Sequence, residues 1–485
     1  MLSFRHSSLP WLCLAVVACQ ENAAASKRRA DLPEPYDRTY GIYLNGGKVG
    51  WMRSQLVVGR EVTLQTDLTA SVGGMGKVSK VELCDKSVYD TATGKLTAVS
   101  FSQTAATGAV RVEGRVQAGT LTLTIKAGNA SQTQSMPVME TLGDALAVDR
   151  LAREGKIGAS VTVEHFDPSI QKQLKVAHTV TAVEKRLFAG VMTRVIGITS
   201  KYVDLGIEEQ IWLDETGKLL ESKVGGFFVA RLEPPEVAQQ LDYQQDLLVS
   251  AVVRVPRPIA VPDAVSALSV TFSGFGEMTP PTSSRQQVLR RNDQVSFALS
   301  RDPPLAAIPI AEVTVAARRA GLGAELASTA FIQSEAPEIR EAAHKAAGDA
   351  QDVATASERL VHWVFSYIKD EYVPAYSNAL EALKSARGDC TEHAVLFVAL
   401  ARALGIPARV AVGIAYWPPG DGFGWHAWAE VWADGRWATV DPTWNQPIAD
   451  VTHVKLADGG PAEQARIVML LGRLRVETLD IEPSR

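Results

Sequence analysis

The sequence predicts a multidomain chain in which an all-β N-terminal portion, of one or two modules, precedes an α+β domain. Three observations predict it. From residue 37 to about 318 apolar and polar residues alternate, the period of a half-buried strand. Beyond about residue 319 the apolar spacing changes to that of helices. The chain has 485 residues, room for about three domains of roughly 150 residues each.

Residues 1–19 read as an export signal. Arg5 and His6 precede an apolar run from Leu9 to Ala18, too short to span a bilayer at about 1.5 Å per residue. The run ends in VVAC, Val16 to Cys19, which resembles the bacterial lipobox. That resemblance implies cleavage before Cys19, lipidation of its thiol, and attachment to a membrane of the bacterial envelope, in the periplasm. Secretion after cleavage at Ala23–Ala25, or a retained anchor, is the alternative. Residues 20–36 are small, charged and proline-bearing, a linker.

Residues 37–245 form the first β-rich domain, a sandwich or open half-barrel. TLTLTIKAG places Leu121, Leu123 and Ile125 on one face, and SVTVEHF does the same with Val161 and Val163. IEEQIWLDETGKLLESKV has two extended runs about Glu215-Thr216-Gly217, a hairpin signal. One short helix is expected within TLGDALAVDRLAREG. Residues 246–318 form a small second β module, in which VPRPIAVP is non-helical because proline lacks the N–H donor. SVTFSGF and QVSFALS read as its strands.

Residues 319–460 form the α+β domain, and residues 461–485 a tail with one strand. APEIREAAHKAAG and ATASERLVHWVFSYIKDEY read as helices. In the second, Leu360, Val361, Val364, Tyr367 and Ile368 share a face.

Net charge is −5, which offers no basic field for nucleic acid. Of the four cysteines, Cys13 and Cys19 lie in the N-terminal apolar stretch, and Cys84 and Cys390 in the folded body. That excludes a disulfide scaffold. A Cys84–Cys390 bridge is arithmetically possible, but Cys84 in VSKVELCDKS suits an inert strand position.

The chemistry concentrates around Cys390. In RGDCTEHAVLFVALARALGIPARV, Gly388 and Asp389 suit a turn and helix start, residues 391–404 a buried helix, and Gly405 and Pro407 its end. Cys390 then sits at a helix N-terminus, where unsatisfied N–H groups and the dipole favour thiolate and can donate to an oxyanion.

HAWAEVWA alternates as a strand, with His426, Trp428, Glu430 and Trp432 on one face. Asp434-Gly435 is a two-residue hairpin signal. If these two residues form the loop, Ala433 pairs with Arg436 and Trp428 lies opposite Asp441. His426 and Asp441 then share a face as diagonal neighbours, about 7 Å apart at the backbone. A one-residue slip would separate them. The result is an imidazole beside a carboxylate, the pair that a cysteine nucleophile requires.

GDCTEHA, GWHAWAEVW and VDPTW, in this order, resemble the three blocks of the transglutaminase-like superfamily, a branch of the papain-like fold, over about residues 325–455. The resemblance implies Cys390 as nucleophile, His426 as general base and acid, and Asp441 as the residue that orients His426. It implies no metal or organic cofactor. Members include protein-crosslinking transglutaminases, cysteine peptidases and peptide N-glycanases. The rest of the chain does not resemble animal transglutaminases in layout.

Other residues have plainer readings. His393 completes CxxH with Cys390, half a metal site without a second pair, so it reads as packing. His453 reads as structural. Among Trp417, Trp425, Trp428, Trp432, Trp437 and Trp444 most belong to a core, while Trp425 and Trp428 could wall a cleft. Tyr376 and Asn378 are candidates by position for a second oxyanion donor. The expected function is a thiol acyl-transfer enzyme, first a cysteine peptidase or amidase acting on a protein or peptide. The alternatives are a protein-glutamine transamidase, or a non-catalytic binding or assembly lipoprotein that retains the fold.

Overall fold

In the N-terminal region, strands alternate buried apolar with exposed polar residues, so one face must be covered. In Thr120–Ala127 the residues Leu121, Leu123, Ile125 and Ala127 are buried while Thr120, Thr122 and Lys126 are exposed. A computed structural model describes residues 32–74, 77–105, 108–127, 130–225, 228–241, 252–371, 378–460, 467 and 470–483. Cys13, Cys19 and Tyr376 lie outside the described residues.

The strands between Tyr36 and Leu232 form one 14-stranded antiparallel sheet. The chain lays down eight strands outward from Tyr36–Leu44, resumes at the opposite edge with Ser160–Asp167, and returns until Phe228–Leu232 pairs with the first strand. The hairpin about Glu215–Gly217 joins Ile207–Asp214 to Leu219–Val224. Two short helices, Leu142–Ala145 and Ala147–Glu154, link the eighth strand to the ninth. Thr141 and Asp144 cap the first reciprocally, and Gly155 ends the second in the left-handed region.

A smaller four-stranded sheet follows, in the order Gln286–Arg291, Gln294–Ser300, Val265–Ser273 and Arg475–Pro483. The C-terminal segment thus supplies its edge strand. The helix Ile310–Arg319 is pinned to the C-terminal domain by Thr314 Oγ1 donating to the Gly405 carbonyl at 2.6 Å.

The C-terminal domain sets helices against a five-stranded sheet. Asp352 caps Val353–Tyr367 by accepting from Thr355 N–H, and Leu360, Val361 and Val364 bury its inner face. The helix Cys390–Ala403 is buried through its first twelve residues and packs on the strand Gly422–Ala433. That strand pairs with Ala408–Trp417 on one side and with Arg436–Val440 and Val253–Arg254 on the other, and Val454–Asp458 extends the sheet beyond Ala408–Trp417. The small β module is fastened beside it: Lys455 N–H donates to Gln286 Oε1 at 2.8 Å, and Arg285 Nη2 to the Asp450 carbonyl at 2.8 Å. No helix among the described residues is long and apolar enough to cross a membrane.

Candidate active site

Asp389 builds the nucleophile's position. Its side chain accepts from Thr391 N–H at 2.9 Å, while Glu392 reaches back to Asp389 N–H at 2.7 Å, a reciprocal cap that starts the helix at Cys390. Cys390 is a free thiol with no exposed surface. Its sulfur accepts from the backbone N–H of Ala427, the residue after His426, which ties the helix start to the histidine strand.

The hairpin sets the other two residues. Asp434 and Gly435 both take positive φ, 52° and 73°, as a two-residue turn of this kind requires. Ala433 pairs with Arg436 and Ala429 with Val440. One step further, beyond the ladder, Asp441 comes opposite Trp428. His426 Nε2 then stands 2.8 Å from Asp441 Oδ2, and both side chains are fully buried.

A second histidine uses the same oxygen. His453 Nε2 lies 3.1 Å from Asp441 Oδ2, and its Nδ1 lies 3.3 Å from Asp450 Oδ1. Thr443 and Trp444 donate backbone N–H groups to Asp441 Oδ1. Trp444 stacks on the His426 ring at 4.3 Å, and Trp428 packs edge-on against His453 at 5.2 Å.

The electrostatics follow from these contacts. Burial opposes charge on Asp441, but His426 and His453 outweigh it and hold its carboxyl well below the usual carboxylate range. Burial opposes charge on His453 too, but Asp450 and Asp441 raise it to about 9. Burial keeps His426 below its usual value despite Asp441. At neutral pH the site therefore holds two carboxylates, one imidazolium at His453 and a neutral imidazole at His426. With Nε2–H donating to Asp441, the lone pair of His426 is on Nδ1.

The helix start does not lower the Cys390 thiol, contrary to expectation. Burial, and then the charge of Asp389, push it well above the usual thiol range, against the Ala427 N–H. Desolvation is the largest influence, and the neighbouring carboxylates of Asp389, Glu392 and Asp441 act in the same direction. The resting pair is a neutral thiol and a neutral imidazole.

The remaining candidates separate. His393 Nδ1 bonds the Asp389 carbonyl at 2.7 Å, within its own helix. Asn378 caps the helix Ala379–Ser385 and donates its amide to Glu381 at 2.6 Å. Cys84 is a second free thiol, in the 14-stranded sheet, pushed up to about 12 by burial and by Asp67. Trp428 and Trp444 flank the imidazoles, whereas Trp425 points to the other face of the strand. Ligand atoms of His426, Asp441 and His453 lie within 4.8 Å of one another. They could hold a metal only if His453 lost its proton and His426 left Asp441. Sequence reading missed His453. Its signal was weak: a histidine three residues after Asp450, twelve beyond Asp441, with no periodicity to aim it.

This fold and site define a domain of the thiol-enzyme class. Residues 340–442 match the transglutaminase-like superfamily, so the chain carries a transglutaminase-like domain. No curated protein matches the chain. Among solved structures it is similar to a protein from Cytophaga hutchinsonii named as a candidate cysteine protease, at 17% identity and TM-score 0.31, over 44% of this chain and 88% of that one. It is similar to a beta-barrel-like protein, of a domain of unknown function, from Brucella abortus, at 13% identity and TM-score 0.34, over 41% of this chain and 95% of that one. A third likeness is to a candidate protease from Parabacteroides distasonis, at 10% identity and TM-score 0.19, over 73% of this chain and 68% of that one.

Proposed function

We propose that the chain is an exported, envelope-anchored thiol acyl-transfer enzyme of papain-like type, with Cys390 as nucleophile, His426 as base and acid, and Asp441 as the group that orients His426. The observation that carries this reading is the buried His426–Asp441 bond of 2.8 Å on the same strand segment whose Ala427 N–H meets the Cys390 sulfur. The anchor is the thiol of Cys19.

In the reaction, His426 Nδ1 takes the thiol proton and the sulfur attacks an amide carbonyl carbon. The C–S bond forms and the carbonyl oxygen gains charge beside the N–H groups of the helix start. The C–N bond breaks as the amine leaves with the proton from His426. Water, deprotonated by His426, then cleaves the thioester and releases the acid. An amine in place of water would make the reaction transamidation. Hydrolysis of a peptide or isopeptide bond is the simpler outcome, since water needs no acceptor site. His453 is a positioning residue: as a cation between Asp441 and Asp450 it fixes Oδ2 under His426.

Full burial of Cys390, His426 and Asp441 favours a second reading, a retained scaffold whose β portions bind envelope partners. One experiment separates them: incubate the chain with a peptidyl vinyl sulfone and read the intact mass. An adduct at Cys390, absent from Cys390→Ala and strongly slowed in His426→Ala, supports the enzyme. An unlabelled native protein whose Cys390 reacts only after denaturation supports the scaffold and overturns the enzyme reading.

A further inference from the structure

The strands Lys172–Phe188 and Val191–Tyr202 outrun both of their neighbours in the 14-stranded sheet. On one side the pairing with Ser160–Asp167 stops at Thr179, and on the other the pairing with Ile207–Asp214 stops at Val195. Beyond these points the ladder continues as a two-stranded ribbon. Lys185 pairs with Arg194, Arg186 with Thr193, Leu187 with Met192 and Phe188 with Val191. Ala189 and Gly190 close it as a two-residue turn, with φ of 45° and 82°.

A ribbon standing in water is expected to end in polar residues, and this one ends in LFAGVM. Leu187, Val191 and Met192 are 68%, 64% and 61% exposed, three of the five most exposed large apolar side chains among the described residues. A fourth, Ile157 at 63%, lies in the loop beside the ribbon, where Gly158 N–H donates to the Val180 carbonyl at 2.9 Å. Successive side chains of a strand alternate between faces, so the Leu187–Met192 and Phe188–Val191 pairs point to opposite sides of the ribbon. The tip is therefore apolar on both sides. A flat protein surface would cover one of them, whereas a lipid phase covers both.

Behind the tip the charge is cationic. Over residues 184–194 and the adjoining loop 155–159, Lys156, Lys185, Arg186 and Arg194 are basic and Glu184 is acidic. Lys185 and Arg194 stand directly opposite each other, an arrangement that is unfavourable in a free ribbon. Glu184 lies 2.6 Å from Arg186 and Glu215 3.3 Å from Arg194, but these side chains are all well exposed, where water screens such pairs. Lys185 and Lys156 pair with no carboxylate among the described residues. An anionic surface met by the tip would relieve the opposed charges.

We propose that the tip Leu187–Met192 is a lipid-docking element, which enters the headgroup boundary of an anionic bilayer and brings Lys156, Lys185 and Arg194 onto lipid phosphates. The apolar side chains bury at the acyl boundary, and the cations behind them stay at the headgroups, drawn by the negative surface potential. The element is independent of the thiol chemistry and of lipid on Cys19.

The ribbon also sets how deep the tip goes. Two residue pairs and the turn span about 7–10 Å at about 3.4 Å per residue, the depth of an interfacial element. Deeper entry is opposed by the outer edges. Past Thr179 and Val195 no third strand pairs with the ribbon among the described residues, and an unpaired N–H or C=O in hydrocarbon is costly. The tip therefore seats in the membrane surface and does not span it.

The test uses the full chain carrying Cys19→Ser, so that no lipid anchor contributes, with vesicles of phosphatidylcholine alone or mixed with phosphatidylglycerol. Co-sedimentation measures binding, and hydrogen exchange reads residues 184–194 locally. The chain is expected to bind the mixed vesicles at least about tenfold more tightly than the neutral ones, with residues 184–194 gaining protection. The combined Leu187→Ser, Val191→Ser and Met192→Ser variant changes only exposed side chains, so its melt should match the parent while partitioning falls at least about tenfold. Lys185→Gln should weaken binding to the mixed vesicles alone. Parental binding by the triple variant, without protection at 184–194, would put the membrane contact elsewhere and overturn the proposal. So would no binding, equal binding to both vesicles, or a dimer of the parent chain that the triple variant loses while vesicles leave 184–194 unprotected.

Discussion

His426 and His453 meet on a single oxygen: their Nε2 atoms stand 2.8 Å and 3.1 Å from Oδ2 of Asp441. Only one of the two is a cation at neutral pH, and it is His453, because Asp450 flanks its other nitrogen. The positive charge on His453 depresses His426. Replacing His453 with glutamine keeps a donor toward Asp441 and removes the charge. His426 is then expected to titrate at higher pH in an imidazole NMR titration, and the acidic limb of any thiol reaction should move the same way. An unmoved His426 resonance would show that His453 does not act on it.

Stability should vary with pH in a way set by the same triad of charges. His453 is raised from an unfolded value near 6.5 to about 9. Its contribution is complete below about pH 6.5 and is lost as pH rises through about 9. Asp441 and Asp450 are lowered, so their contribution is present above about pH 4 and is lost as pH falls below that. The melting temperature of the chain should therefore fall between pH 7 and pH 9.5, and fall less in His453→Gln. Parallel curves would contradict this assignment.

Glu430, on the same strand face as His426, is buried against two cations. It lies 2.8 Å from Lys455 Nζ and 2.7 Å from Arg409 Nε, and Asp458 closes the network on both. Lys455→Met strips one partner from a buried carboxylate and should cost about 3 kcal/mol, whereas the double change Glu430→Met with Lys455→Met should cost less. Denaturant unfolding of the two variants measures the difference directly.

Gly413 pairs with His426 across the ladder. A Cβ there would meet the Val454 carbonyl oxygen at 2.1 Å, with Leu456 N and Trp428 at 3.0 Å. The neighbour is backbone and cannot swing aside, so Gly413→Ala should destabilise the domain by about 2 kcal/mol. A thermal melt of Gly413→Ala matching wild type would mean that the strand Val454–Asp458 shifts without cost.

Much of the site was legible in the chain. The two-residue turn at Asp434-Gly435 dictates the pairing of Ala433 with Arg436, and period-two alternation carries His426 and Asp441 to one face. Asp389 and Glu392 mark the helix start at Cys390 by local hydrogen bonding alone. Likewise Leu121, Leu123 and Ile125, or Leu360, Val361 and Val364, reveal their buried faces because each pattern lies within one element.

By itself, then, the sequence determined where the thiol sits on its helix, which strand carries the imidazole, and the register that brings it to a carboxylate, since turn chemistry and side-chain period act over a few residues. Tertiary structure alone decided that His453 joins Asp441, that desolvation raises the Cys390 thiol instead of the helix start lowering it, that Tyr36–Leu44 pairs with Phe228–Leu232, and that Arg475–Pro483 completes a sheet begun some two hundred residues earlier. Burial, charge balance and long-range pairing depend on which surfaces are packed together, and no local pattern encodes that.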